Sequence, residues 1–388
     1  MAGRRYRLIE RRKAVGLSQE RLAEIVGVDR STVVRWERAD TTPQPWHRPR
    51  LADALKVSID ELAELVADVG EPPARLDDRL GYVLRHPRRV DLVTVAYLRE
   101  QVQRFDELYE STPSTLPLAS VGQLHGQVTF LRRHASGGAV QRELAAATAE
   151  SATLMGQLVW DASQRRDHAV AGAYFDQAVT AAQQVPDAVV EANALLRKSY
   201  IALYGSANPA AGLALADRAA IRSERQSHVI TSLARLHVGE AHAMLGDVRQ
   251  CEAALGCAAH HIGHVEPNDP AAVLFCPSQY GRLAGSCWLF LGRPQRAEEV
   301  LESTRQYLTQ QRKSTAIVLG NLALAATQQG QIETATARLH EAIDVCERTR
   351  GGGGLNVVFG AARELRPWRR EPIVEEVTDR LLSLMTTA

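Results

Sequence analysis

Apolar residues recur at helical spacing along much of the chain. Leu22, Ile25 and Val26 fall on one face of the segment 19–26, and the Ser18 hydroxyl can accept from an orphan N–H of the helix it opens. Gly27 can take the left-handed conformation that ends that helix. Asp29 or Ser31 can cap a second short helix, whose Val33, Val34 and Trp36 include the inward positions. The spacing thus predicts two short helices joined by a tight turn. Further on, Asp91 can cap a long helix through Leu108. Ile373, Val374, Val377, Leu381 and Leu384 predict a last helix over 371–385.

From about residue 145 a second periodicity appears, made of small residues. Gly239, Ala243 and Gly246 are followed by Cys251, Leu255 and Ala258, and Gly285 and Gly292 by Ala297, Leu301 and Thr304. Ala323, Ala326, Gly330, Ala335, Leu339 and Ala342 keep the same spacing. So do Val159, Ala162, Arg166, Ala171, Phe175 and Ala178, with Arg166 in place of the turn glycine, and more loosely Tyr200, Leu203, Gly212, Ala216 and Ala219. The physical unit is a helix hairpin. Small residues let two helices approach, glycine lets the chain turn, and the bulky residue locks one hairpin to the next. The largest interruption is the proline-containing loop 263–277, and the glycine run Gly351–Gly354 must be flexible or tightly turned.

A chain of 388 residues should split into two or more domains, and 45% apolar residues suffice for real cores. With aromatics at only 5% and abundant alanine, closely packed helices are expected. The net charge of +1 is uninformative until it is divided. Residues 1–50 hold twelve Lys and Arg against six Asp and Glu, so the remainder is acidic by five. A basic head on an acidic body is expected if only the head meets phosphates. Five cysteines form no CxxC and read as buried, reduced thiols. The N-terminus lacks an apolar signal core and no run approaches a membrane span, so a cytoplasmic protein without membrane contact is expected.

The head resembles a known family. Arg12, the run 16–23 (Gly-Leu-Ser-Gln-Glu-Arg-Leu-Ala), the run 27–33 (Gly-Val-Asp-Arg-Ser-Thr-Val) and Trp36-Glu37-Arg38 look like the phage-repressor (Cro/C1, or XRE) type of helix-turn-helix. Asp53 to Leu62 matches the closing helices of that domain, and Ala39 departs from it where glycine is frequent. The hairpins resemble the tetratricopeptide pattern. The expected fold is therefore all-α: a five-helix lambda-repressor-like helix-turn-helix domain followed by a tetratricopeptide-like α-solenoid. Residues 1–69 would be the DNA-binding domain, 70–90 a linker with a short helix, 91–350 the sensing and dimerising repeat domain, and 351–388 a C-terminal loop and capping helix.

The helix-turn-helix geometry assigns base contacts to Arg30, Ser31, Val34 and Arg35, as do the resembling repressors. Gln19 matches the family's phosphate-contacting glutamine, and Arg38, Thr41 and Thr42 are placed for phosphate on the far side. Arg12 and Glu37 match a buried ion pair of the family, and Trp36 reads as core. Double-stranded operator DNA is the implied partner, bound as a homodimer on half-sites about 34 Å apart. In the repeat register, Gln157, Trp160, Arg197 and Tyr204 point outward on the first helices of their hairpins. Glu240, Gln279, Arg282, Ser286 and Asn321 do the same, with Asn321 and Arg197 the strongest candidates. Such a groove suits an extended peptide or small-molecule effector, whereas any one of these residues singly suits inter-repeat hydrogen bonding. Pairing this head with this body resembles the peptide-pheromone (quorum-sensing) receptors of Gram-positive bacteria, which implies a transcription regulator.

His260, His261 and His264 lie close in sequence, but no third-ligand and carboxylate cluster accompanies them; they suit a helix C-terminus, and neither metal nor cofactor is expected. No nucleophile elbow, P-loop, dinucleotide fingerprint or HExxH is present, so an enzyme is not expected. The rival possibility is a scaffold whose repeats bind a protein partner and whose head only localises it to DNA.

Overall fold

Ser18 acts as its position predicts, its hydroxyl accepting from the Arg21 N–H at 3.1 Å, and Gly27 ends the same helix at φ 81°. The computed structural model describes residues 5–67, 76–308 and 312–386, so the linker expected at 69–73 lies outside the described residues. Among the described residues there is helix and loop but no strand, and no helix is long and apolar enough to cross a membrane. The chain divides into two compact units, Met1–Tyr82 and Val83–Ala388.

The first unit contains α1 (Tyr6–Ala14), α2 (Gln19–Val26), α3 (Arg30–Glu37), α4 (Arg48–Leu55) and α5 (Ile59–Ala67). Each is too short to be stable alone. They are held by one core in which Leu22, Val33, Trp36, Leu51, Leu55 and Leu62 are buried. Asp29 stands at the start of α3 but makes no side-chain cap bond. Ala39 adopts φ 60°, taking without glycine the left-handed turn that follows α3. Arg5 reinforces that turn, its guanidinium donating to the Trp36, Thr41 and Val66 carbonyls and to Thr42 Oγ1.

The division between the units falls within α6 (Leu76–Arg85); in the second unit, α7 (Leu92–Leu108), capped by Asp91, and α8 (Leu118–His134) both pack on α9 (Gly138–Ala162). Five hairpins follow: α9 with α10 (His168–Ala182), α11 (Ala188–Tyr200) with α12 (Pro209–Ser223), α13 (His228–Met244) with α14 (Val248–Ile262), α15 (Gln279–Phe290) with α16 (Pro294–Thr304), and α17 (Lys313–Gln328) with α18 (Ile332–Thr349). The five sequence repeats fall one on each hairpin. The need for small residues is direct: a Cβ on Gly285 would lie 2.4 Å from Leu301 Cγ, and one on Gly281 1.8 Å from Thr304 Oγ1. Later residues of one helix thus meet earlier residues of the next, so the hairpin is antiparallel. Gly246, Gly292 and Gly330 make left-handed turns, but in the first hairpin Gln164 (φ 53°) and Arg165 (φ 60°) do so, not Arg166.

α19 (Gly352–Glu364) and α20 (Pro372–Thr386) complete the unit. The expected C-terminal loop is corrected here, because Gly352–Gly354 is the buried first turn of α19. These glycines serve close approach: a Cβ on Gly352 would lie 2.8 Å from the Asp161 carbonyl oxygen, and one on Gly353 2.3 Å from Arg165 Nη2. The Gly352 N–H donates to Asp161 Oδ1 at 2.7 Å, and the Lys313 N–H donates to the Glu110 carbonyl at 2.8 Å. The final hairpins therefore close back onto the first, across about 190 residues of chain.

Candidate functional site

The face of α3 expected to read bases is held in place from its buried side. Arg12 Nε meets Glu37 Oε1 at 2.6 Å with both side chains under a tenth exposed, which fixes α1 against α3. Gln19 Nε2 donates to the other Glu37 oxygen at 2.6 Å, so the expected phosphate-contacting amide is oriented from within the domain. Opposite this core, Arg30, Ser31 and Arg35 are exposed and Val34 half-buried. Arg30 Nε pairs with Glu20 Oε1 at 2.5 Å, yet both side chains are more than half exposed, so the pair is worth little and is easily exchanged for a nucleic-acid acceptor. Among the described residues Arg35 makes only a long contact to Thr32 Oγ1, 3.4 Å. Arg38, Thr41 and Thr42 are exposed, and Thr42 Oγ1 already accepts from Arg5 while its own O–H stays available to donate.

In the second unit a cavity of about 420 Å³ collects all eight expected effector residues and Ser286. Their environment differs from an open concave groove: Gln157, Trp160, Glu240 and Asn321 are buried, Trp160 against Phe175 of its own hairpin and Glu240 against Tyr204 and His237. Asn321 Nδ2 donates to Ser286 Oγ at 2.9 Å, an inter-repeat bond. Gln279 is spent on the wall itself, donating to the Leu274 carbonyl and accepting from the Cys276 N–H. Glu240 Oε2 accepts from the Tyr204 hydroxyl and, at 2.8 Å, from His237 Nδ1. Burial pushes His237 down, against the pull of Glu240, so the ring is neutral at pH 7. Burial and the neighbouring Glu240 carboxylate push the Tyr204 hydroxyl well up.

The guanidiniums are placed differently. Arg165 lies 4.6 Å from the Trp160 ring and 5.6 Å from that of Tyr204, while Arg197 lies 5.6 Å from the Tyr200 ring. None of Arg165, Arg197 and Arg282 has a carboxylate within ion-pair distance among the described residues, and Arg197 Nε and Arg282 Nε are buried without a hydrogen-bond partner. Asp106 faces Arg197 from α7, and burial raises its carboxyl pKa against that pull. Sequence reasoning missed Arg165, His237, Tyr200 and Asp106. His237 and Tyr200 stand one turn from Glu240 and Tyr204, so helical spacing points to them. Arg165 sits in a turn, where a register confined to first helices does not look.

Elsewhere, His228 Nδ1 meets His261 Nδ1 at 3.0 Å, and the His260 and His264 rings lie 4.4 Å apart, tilted at 43°, at the end of α14. All five cysteines are free. Cys251, Cys287 and Cys346 are buried as expected, but Cys257 and Cys276 are half-buried, Cys276 in the loop that walls the cavity.

The helix-turn-helix family model matches residues 8–62, and the N-terminal unit is a helix-turn-helix domain of that type. No curated protein matches the chain. Among solved structures, Bacillus thuringiensis PlcR in complex with the peptide PapR7 and DNA is similar at 13% identity, covering 79% of this chain and 94% of that one with a TM-score of 0.38. The Rap protein complexed with competence and sporulation factor is similar at 9% identity, covering 76% and 98% with a TM-score of 0.44.

Proposed function

We propose that the chain is a sequence-specific DNA-binding transcription regulator whose helical-repeat unit holds an effector in the central cavity. The observation that carries this is the division of its arginines. Arg12 is spent inside the first unit, whereas Arg30 and Arg35 stand free of any buried role on the exposed face of α3. Arginine is the best bidentate partner of guanine O6 and N7. Val34 suits a thymine methyl, Ser31 either kind of base edge, and Gln19, Arg38, Thr41 and Thr42 the flanking phosphates. One such module makes a small interface, so operator binding requires two copies on half-sites roughly 34 Å apart. Effector occupancy shifts the curvature of the repeat unit and with it the spacing of two heads. Its leverage is the differential affinity of ligand for the two states, about 1–3 kcal/mol in typical cases.

The test is a comparison of two variants on specific and random duplexes. Arg35→Ala should lose about 1–3 kcal/mol on the operator and relax preference at one base pair. Gln19→Ala should weaken both duplexes alike. Equal losses on operator and random DNA for Arg35→Ala refute its base-reading role.

A further inference from the structure

Three half-buried guanidiniums line the cavity with no carboxylate within ion-pair distance among the described residues. Arg165, Arg197 and Arg282 line the same cavity, Arg197 lying 5.6 Å from the Tyr200 ring and Arg165 5.6 Å from the Tyr204 ring one turn further on. The carboxylates of the same cavity are mostly engaged. Asp161 is bound by Lys313 and Ser114, Glu240 by Tyr204 and His237, and Glu110 by the Ser314 N–H. Glu107 accepts from Gln103, which leaves Asp106 as the one carboxylate facing the group. Holding uncompensated cations out of water costs stability, and stacking on aromatic faces leaves guanidinium N–H edges open for a planar acceptor. The cavity wall also carries exposed apolar side chains. The loop between α14 and α15 supplies Val273 and Phe275, 71% and 37% exposed, and Phe290 at the end of α15 is 50% exposed. That loop is held in place by Asp269, which accepts from Ser227 Oγ and the Ala271 N–H, and by Gln279.

We infer that the effector is an amphipathic carboxylate, its charged end taken by Arg165, Arg197 and Arg282 and its apolar body by Val273, Phe275 and Phe290. This rests on the proposal that the cavity is an effector site, and adds the class and orientation of the ligand. Arg282, Ser286 and Phe290 follow one another at four-residue steps on one face of α15, so Phe290 stands about 12 Å along the helix from Arg282, while Val273 and Phe275 flank the Arg282 end. An eight-carbon acid spans most of that length, as do about three extended peptide residues. The carboxylate is thus that of a medium-chain acid or the free C-terminus of a short peptide with an apolar last residue.

The experiment is calorimetric titration of the full chain with two matched pairs: octanoate against octanamide, and acetyl-Leu-Leu-Phe as free acid against its C-terminal amide. In at least one pair the acid should bind roughly tenfold more tightly than its neutral partner, since guanidinium–carboxylate bonds are charge-assisted and bidentate. Which pair shows the gap identifies the source. The gap should close in Arg197→Met and in Arg282→Met. The wild-type comparison stands by itself if either variant fails to fold. Neutral partners binding as tightly as the acids, or no measurable binding of either acid, overturns the inference. An acid that binds through the arginines without changing the DNA affinity of the full chain leaves this subsite standing and instead defeats the effector reading.

Discussion

Replacing Lys313 by methionine is expected to destabilise the repeat unit by about 3–5 kcal/mol, among the largest effects a single change can have here. Lys313 Nζ lies 2.9 Å from Asp161 Oδ2 and donates to Ser114 Oγ at 2.7 Å, with both charged side chains about 5% exposed or less. It also sits 4.2 Å from the centre of the Tyr109 ring. Without the ammonium, Asp161 keeps the Ser114 O–H and the Gly352 N–H but remains a buried charge with no counter-charge. The loss is therefore mostly desolvation left uncompensated, not the net worth of the pair. Adding Asp161→Asn to Lys313→Met should restore much of it, because two neutral partners no longer bury a charge. Urea unfolding followed through the repeat unit measures both. Additive losses in the double variant would show that the pair does not couple. Because the contact joins α9 to α17 and α19, protection from hydrogen exchange should fall first at those three helices.

Arg12→Leu should have a comparable effect on the smaller unit, again about 3–5 kcal/mol, by leaving Glu37 buried beside the Gln19 amide alone. A domain of some sixty residues has little stability in reserve, so this loss unfolds it in part or whole. DNA binding should then disappear for operator and random duplex together, unlike the selective loss expected at Arg35. Circular dichroism should show helix lost while the repeat unit retains its own transition. Full helicity in Arg12→Leu would mean that the ion pair is dispensable.

The two units were legible to different degrees for physical reasons. The helix-turn-helix is specified locally: Ser18, Gly27 and the inward face of Leu22, Val26, Val33 and Trp36 are all within reach of a twenty-residue window. The hairpins were legible because helix contact demands small residues at fixed spacing, as Gly285 against Leu301 illustrates. The repeat register also carries the eight effector candidates to one cavity. Closure was not legible. Lys313 and Asp161 carry no local mark of their pairing, and a run of glycines reads as a turn unless the surface it must approach is known. Arg165 was hidden for a related reason, being a left-handed residue without glycine whose side chain is recruited from a turn. Gln279 was given a ligand role on register alone, and its amide proves committed to the loop that forms the cavity wall.

The link between cavity and operator is tested most directly by one affinity comparison. The full chain is purified from its native host with its small molecules retained, and a second portion is stripped of them by unfolding and refolding. Fluorescence anisotropy of a labelled operator duplex is then measured with each at fixed salt. Coupling between the sites predicts affinities that differ by about 5–150-fold, restored when the stripped extract is returned. Identical affinities in the two portions, with the extract shown to occupy the cavity, would contradict it.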